Sequence, residues 1–247
     1  MPSFFLRIPP VTRNLLIINI LLYLAQAAIP SLGNTMERYL ALYYFTSPGF
    51  NVAQLFTYMF LHGSFTHLFF NMFALLVFGP PIENALGSKR FLFYYITCGI
   101  VAGLIQMGVF AIMIHKYADM FDPEVYRRII NEGWPLIQRG YNFTDPSAGT
   151  LNALVNTPMV GASGAVYGVI LALGMLYPNM PMYLFFIPYP IKAKWVVIGY
   201  AVIEITQGLG NMVTNVAHFA HLGGMIAGLA LILYWRKKGV FNNHWFF

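Results

Sequence analysis

A serine framed by glycines, Gly161-Ala162-Ser163-Gly164, and a histidine in a second apolar stretch, Ala220-His221-Leu222-Gly223-Gly224, are the two parts needed for acyl transfer. A serine hydroxyl is a weak nucleophile until a neighbouring base accepts its proton, and histidine is the commonest such base. Glycines beside the serine allow a tight backbone turn and let a substrate carbonyl come close. Free N–H groups and the positive dipole end at a helix start suit a developing oxyanion. His67 and Asn71 share one helix face at i, i+4 spacing, and both side chains can donate hydrogen bonds to the same oxyanion. His218 lies one turn before His221 and reads as a group at the mouth of the site or one that supports the base. No Asp or Glu falls in the stretch that carries His221, so the expected arrangement is a Ser-His dyad rather than a triad.

Each of these features also has a purely structural reading. Gly164 with Gly168, and Gly224 with Gly228, have the GxxxG spacing of close helix packing. His67 and Asn71 could bond across helices and nothing more. The two readings are compatible, because close packing of the two stretches is what would bring Ser163 to His221. His62 reads as a brace for the loop before His67. Glu83, between Gly79 and Gly87 at four-residue spacing, reads as a structural staple, about three turns from the His67/Asn71 level. Glu204 could bond across the bundle or serve a proton path.

The elements that must hold these residues are membrane helices. The chain of 247 residues is 58% hydrophobic and 9% charged, whereas a soluble domain carries about 25% charged residues. A helix needs roughly 20 apolar residues to cross a hydrocarbon core. Six stretches reach or approach this length, at about 14–32, 66–82, 91–114, 161–177, 195–207 and 215–234. They make one all-α domain over residues 1–247, a polytopic six-helix bundle with its site inside the membrane. Residues 115–158 are the soluble-looking part, read as a short amphipathic helix followed by loop. The first apolar run lacks the usual signal-peptide cleavage pattern and is expected to stay as a span.

Charge sets the orientation. Arg7, Arg13, Lys89, Arg90, Lys192, Lys194, Arg236, Lys237 and Lys238 fall on one side of a six-span topology, and fewer basic residues spread over the longer loops of the other. Positive-inside bias places both termini in the cytoplasm and puts Ser163 and His221 toward the outer face. The net charge of +6 is spent on these span ends, with no basic and aromatic stripe for nucleic acid. A lone cysteine, Cys98, excludes an intramolecular disulfide and a multi-cysteine zinc site. No HExxH motif is present and no metal or organic cofactor is implied.

Together these motifs resemble the rhomboid intramembrane serine proteases, from about residue 14 to 236. The resemblance rests on Gly161-Ala162-Ser163-Gly164 with Tyr167, on Ala220-His221-Leu222-Gly223-Gly224-Met225-Ile226-Ala227-Gly228, on His67-Leu68-Phe69-Phe70-Asn71, and on Gly79-Pro80-Pro81-Ile82-Glu83-Asn84-Ala85-Leu86-Gly87. It implies Ser163 as nucleophile, His221 as general base, and an oxyanion hole from His67, Asn71 and the Ser163 N–H. Tyr167 would pack on the His221 ring, and Glu83 would be structural. The connection before the second span would lie in the membrane, and the fifth span with its adjoining loop would be a lateral gate.

The resemblance implies an integral membrane endopeptidase that takes the transmembrane segments of other proteins as substrates, in a bacterial plasma membrane. Two features depart from the pattern. Where the first loop often carries a Trp-Arg pair, this chain reads Val52-Ala53-Gln54-Leu55, and the connection between the third and fourth spans is unusually long. Two rival functions remain on sequence grounds: a rhomboid-like membrane chaperone without protease activity, and a proton-coupled transporter using His67, His218, His221 and Glu204 as a relay.

Overall fold

The computed structural model describes residues 8–183, 188–210 and 218–241. Four of its helices are long and apolar enough to cross a membrane: α1 (Pro10–Ala28), α4 (Phe65–Leu86), α5 (Ser88–Ala118) and α10 (His218–Lys237). Between α1 and α4 lie α2 (Pro30–Leu40), the short α3 (Gln54–Thr57) and a 3-10 turn at Tyr58–Phe60. The connection after α5 carries α6 (Pro123–Gln138) and α7 (Pro146–Asn156), followed by α8 (Ser163–Leu176). Two antiparallel two-residue strands, β1 (Pro181–Met182) and β2 (Ile191–Lys192), precede α9 (Ala193–Gly210).

The expected first span over 14–32 is corrected to α1, which stops at Ala28. Pro30 disfavours helical backbone at Ile29, which is extended at φ −129°, ψ 95°, and the chain restarts as α2. The loop expected after the amphipathic helix is also corrected, because residues 146–156 are helical. Asp145 is the N-cap of α7, accepting a bond from the Ala148 N–H, and Pro146 takes the first helical position, where its missing N–H does no harm. Asp122 caps α6 in the same way through the Glu124 and Val125 N–H groups.

The expected fourth span is α8, which at about 1.5 Å per residue is about 21 Å long, short of the roughly 30 Å hydrocarbon core. The expected fifth is α9, whose Lys194, Glu204 and Gln207 dilute an otherwise apolar sequence.

Helices α5, α8 and α10 meet at glycines, and between α8 and α10 backbone lies against backbone. A Cβ on Gly224 would overlap the Gly164 carbonyl, and one on Gly228 would overlap the Tyr94 hydroxyl. Gly168 sits against Cys98 and the Gly224 carbonyl, and Gly164 against Ala102. With backbones this close, Tyr94 of α5 donates its hydroxyl to the Gly168 carbonyl at 2.7 Å, and Tyr58 donates to Gly99 at 2.7 Å. Both glycine ladders seen in the sequence face one another here.

The first loop is anchored by the residues that break the family pattern. Gln54 is fully buried. Its Oε1 accepts from the Tyr43 and Asn51 N–H groups at 3.3 and 3.2 Å, and its Nε2 donates to the Gly49 carbonyl at 2.8 Å. Trp134 of α6 packs edge-on against Tyr43 and over Gly49, where no side chain would fit. Ser47 donates to Asn156 Oδ1 at 2.9 Å, and Leu42 pairs its backbone with Met159. The long connection is therefore built into the first loop.

At the far end of α4, the buried Glu83 carboxylate accepts from the Val11 N–H, the Thr12 N–H and hydroxyl, and the Ser88 hydroxyl, all at 2.7–2.9 Å. Gly79 makes room for Thr12, and Gly87 ends α4 at φ +77°, a conformation that favours glycine.

Candidate active site

Ser163 is the first residue of α8, and His221 lies in the first turn of α10. The glycine contact between Gly164 and Gly224 sets the distance between the two helices. Within it, Ser163 Oγ stands 2.8 Å from His221 Nε2. This is hydrogen-bond distance for a hydroxyl and an imidazole. With the ring proton on Nδ1, Nε2 accepts from the serine O–H and can take its proton as Oγ attacks a carbonyl. His221 is 9% exposed, so little water competes for this contact.

Tyr167, one turn into α8, stacks on the imidazole with ring centroids 4.2 Å apart and planes 5° from parallel. The rear of the same cluster holds Glu204, a buried carboxylate of α9. Its Oε1 accepts the Tyr167 hydroxyl at 2.5 Å, and its Oε2 lies 2.6 Å from His218 Nδ1. The same Oε1 is 3.1 Å from His221 Nδ1. Nδ1 completes no aligned hydrogen bond with a described residue, so the carboxylate lies close to the ring edge without being bonded to it. A carboxylate supplied by a different helix thus stands behind the His221 ring. His218 pairs with the same carboxylate through Nδ1.

His67 and Asn71 occupy the first turns of α4, where Ser64 accepts a bond from the His67 N–H. His67 meets the serine loop at Gly161, which is held at φ +130°, a conformation that favours glycine. A Cβ there would stand 2.7 Å from His67 Nε2 and 3.8 Å from Ser163 Oγ. The missing side chain is what lets the His67 ring lie against the serine loop. Asn71 is buried, and its carboxamide has no hydrogen bond to another described residue. His62 packs edge-on against His67 at 5.0 Å, with neither ring nitrogen bonded to another described residue.

Two contacts escape a reading of the sequence. Gln106, a lone amide in the apolar run of α5, accepts the Ala220 N–H at 3.0 Å and so fixes the first turn of α10 beside His221. Glu204 shows itself in sequence only as a carboxylate within an apolar helix. Its partners lie on two other helices. Glu204, His218 and His221 are the one grouping of metal-ligating side chains among the described residues, and the Tyr167 and His218 hydrogen bonds account for the carboxylate without an ion.

A part-buried serine–histidine contact in a bundle of apolar helices, four of them long enough to cross a membrane, defines a class: helical membrane proteins. The sequence matches a model of the Rhomboid domain over residues 49–118 and 137–238. The chain belongs to the rhomboid family and is an integral multi-pass membrane protein. The matched segments omit residues 119–136, which are most of α6.

The chain is 32% identical to RHOMBOID-like protein 12, mitochondrial, of Arabidopsis thaliana, over 76% of this chain and 47% of that protein. It is 27% identical to Rhomboid protein 1, mitochondrial, of Saccharomyces cerevisiae, over 69% of this chain and 38% of that one. Rhomboid protease AarA of Providencia stuartii is 28% identical over 94% of this chain and 75% of its own length. The chain spans less than half the length of the first two of these relatives.

Proposed function

We propose that the protein is an intramembrane serine endopeptidase that cuts peptide bonds in or near the transmembrane segments of other membrane proteins. The observation that carries this reading is the 2.8 Å contact between Ser163 and His221, at a buried helix start in a chain of the rhomboid family. A substrate helix hides its carbonyls in its own backbone bonds, so it must partly unwind before attack. His221 Nε2 takes the Ser163 proton, and Oγ adds to the scissile carbonyl. The oxyanion is held by the Ser163 N–H with His67 and Asn71. His221 then gives the proton to the leaving amine, and water completes hydrolysis of the acyl-enzyme. No cofactor enters these steps.

In this reading α8 and α9 complete six spans in a single domain. The basic flanks Arg7, Arg13 and Arg236–Lys238 face the cytoplasm of a bacterium, and the site opens toward the outer face. Thiol labelling of cysteines placed in the 119–158 segment and beside Lys237, on intact cells, tests this orientation. Labelling of the first alone is the expected pattern.

The functional test is cleavage of a single-span substrate in liposomes by wild type, Ser163→Ala and His221→Ala. Both variants are expected to keep their fold and lose cleavage. Cleavage that survives Ser163→Ala overturns the reading.

A further inference from the structure

We propose that Glu204 is a positioning residue for the base: it holds the His221 ring proton on Nδ1 and stabilises the imidazolium that forms when Nε2 takes the serine proton. The proposal rests on the protease reading above and adds a carboxylate from α9 to the Ser163–His221 pair.

Three observations carry it. Glu204 Oε1 lies 3.1 Å from the ring nitrogen opposite the one that faces Ser163. A carboxylate at that nitrogen favours the tautomer in which the other nitrogen is free to accept a proton. The carboxylate is itself fixed from two sides, by the Tyr167 hydroxyl at 2.5 Å and by His218 at 2.6 Å, so its charge is aimed before the reaction begins. Finally, Nδ1 has no other bonded partner among the described residues, and a small rotation of the ring within its stack on Tyr167 would align the N–H with Oε1.

The titratable groups that face His221 among the described residues are Glu204 of α9, Tyr167 of α8, His218 of its own helix and His67 of α4. Ser163 completes its surroundings. Glu204 is the only carboxylate in that set. A carboxylate buried only to staple helices would lie equally well against Tyr167 and His218 alone. What it would not do is change how readily His221 accepts a proton, and this difference can be measured.

The test uses the full chain in detergent and a fluorophosphonate, a small probe that needs no substrate helix to enter. Ser163 Oγ attacks phosphorus, fluoride leaves, and the serine proton passes to His221. The rate of labelling is followed from pH 5 to 9 in wild type, Ser163→Ala, Glu204→Gln and Glu204→Asp. Each rate is normalised to the monodisperse, folded fraction.

The expected result is that Glu204→Gln labels roughly 10- to 100-fold more slowly, a smaller loss than the roughly 10,000-fold seen when an aligned carboxylate of this kind is neutralised. The acid limb of its profile moves to lower pH, because a nearby negative charge favours the protonated ring and its removal does the reverse. Glu204→Asp keeps the charge but draws it back by one methylene, so its acid limb moves in the same direction and by less.

Labelling of Glu204→Gln at the wild-type rate with an unmoved profile overturns the proposal while leaving the protease reading intact. A slowed rate with an unmoved profile also overturns it, since loss of a staple does just that. If Glu204→Gln yields no folded protein, an acid limb left unmoved in Glu204→Asp overturns the proposal. Wild type that does not label at Ser163 overturns the protease reading, and the proposal with it.

Discussion

The interface between α8 and α10 and the one between α8 and α9 are built from different materials. In the first, backbone meets backbone. Gly164, Gly168, Gly224 and Gly228 leave no side chain to adjust, and the Ser163–His221 distance follows from that contact. In the second, side chains fill the contact: Val197 lies against Gly174, and Tyr167 packs edge-on against Tyr200 at 6.0 Å. The outer face of α9 is an apolar surface, with Trp195, Ile198, Val202, Ile203 and Leu209 all exposed. One polar tether, Glu204, joins this helix to the site. A backbone contact has a single geometry, whereas a contact of branched side chains and lipid has several of similar energy. The protein fixes the Ser163–His221 distance with the first kind of interface and joins α9 to the bundle through the second.

That contrast breaks most sharply at Gly224. A methyl group there meets the Gly164 carbonyl, which cannot move without parting α8 from α10. Gly224→Ala is expected to cost about 3 kcal/mol or more and to abolish cleavage, read as thermal unfolding in detergent beside the substrate assay. A normal melting temperature would mean the seam is softer than its geometry implies.

Gly174→Ala probes the other interface. The added Cβ meets only the Val197 side chain, which can shift with α9, so the expected loss is about 1 kcal/mol with labelling of Ser163 preserved. A fall as large as that of Gly224→Ala would erase the distinction between the two interfaces.

The smallest effect, and the one of opposite sign, is expected at Gly199 on α9. No atom lies within 4 Å of a Cβ there, so Gly199→Ala gains helix propensity and should stabilise the protein by about 0.5–1 kcal/mol. Destabilisation would show that this face of α9 has a partner.

Sequence reading reached furthest where chemistry and periodicity are local. Ser163 between glycines, the i, i+4 pair of His67 and Asn71, and the GxxxG steps can all be seen within a few residues. Reading stopped where a neighbour comes from another helix. Nothing near His221 in the chain announces Glu204, and nothing near Ala220 announces Gln106. The missing Trp-Arg pair left the first loop without a visible anchor. Gln54 in that same stretch and Trp134 from the long connection hold it, and neither role can be inferred from spacing. The helix over residues 146–156 was hidden by its composition, although Asp145-Pro146 marks its start.

The sequence by itself determined residence in the membrane, the family, and the residue types available for acyl transfer, because hydropathy and side-chain chemistry are properties of short stretches. The tertiary structure decided which of those residues meet. A 2.8 Å contact between Ser163 and His221, and a carboxylate 3.1 Å behind the ring, depend on how closely three helices approach. That approach is set by packing across the bundle, where no single stretch of chain holds both partners.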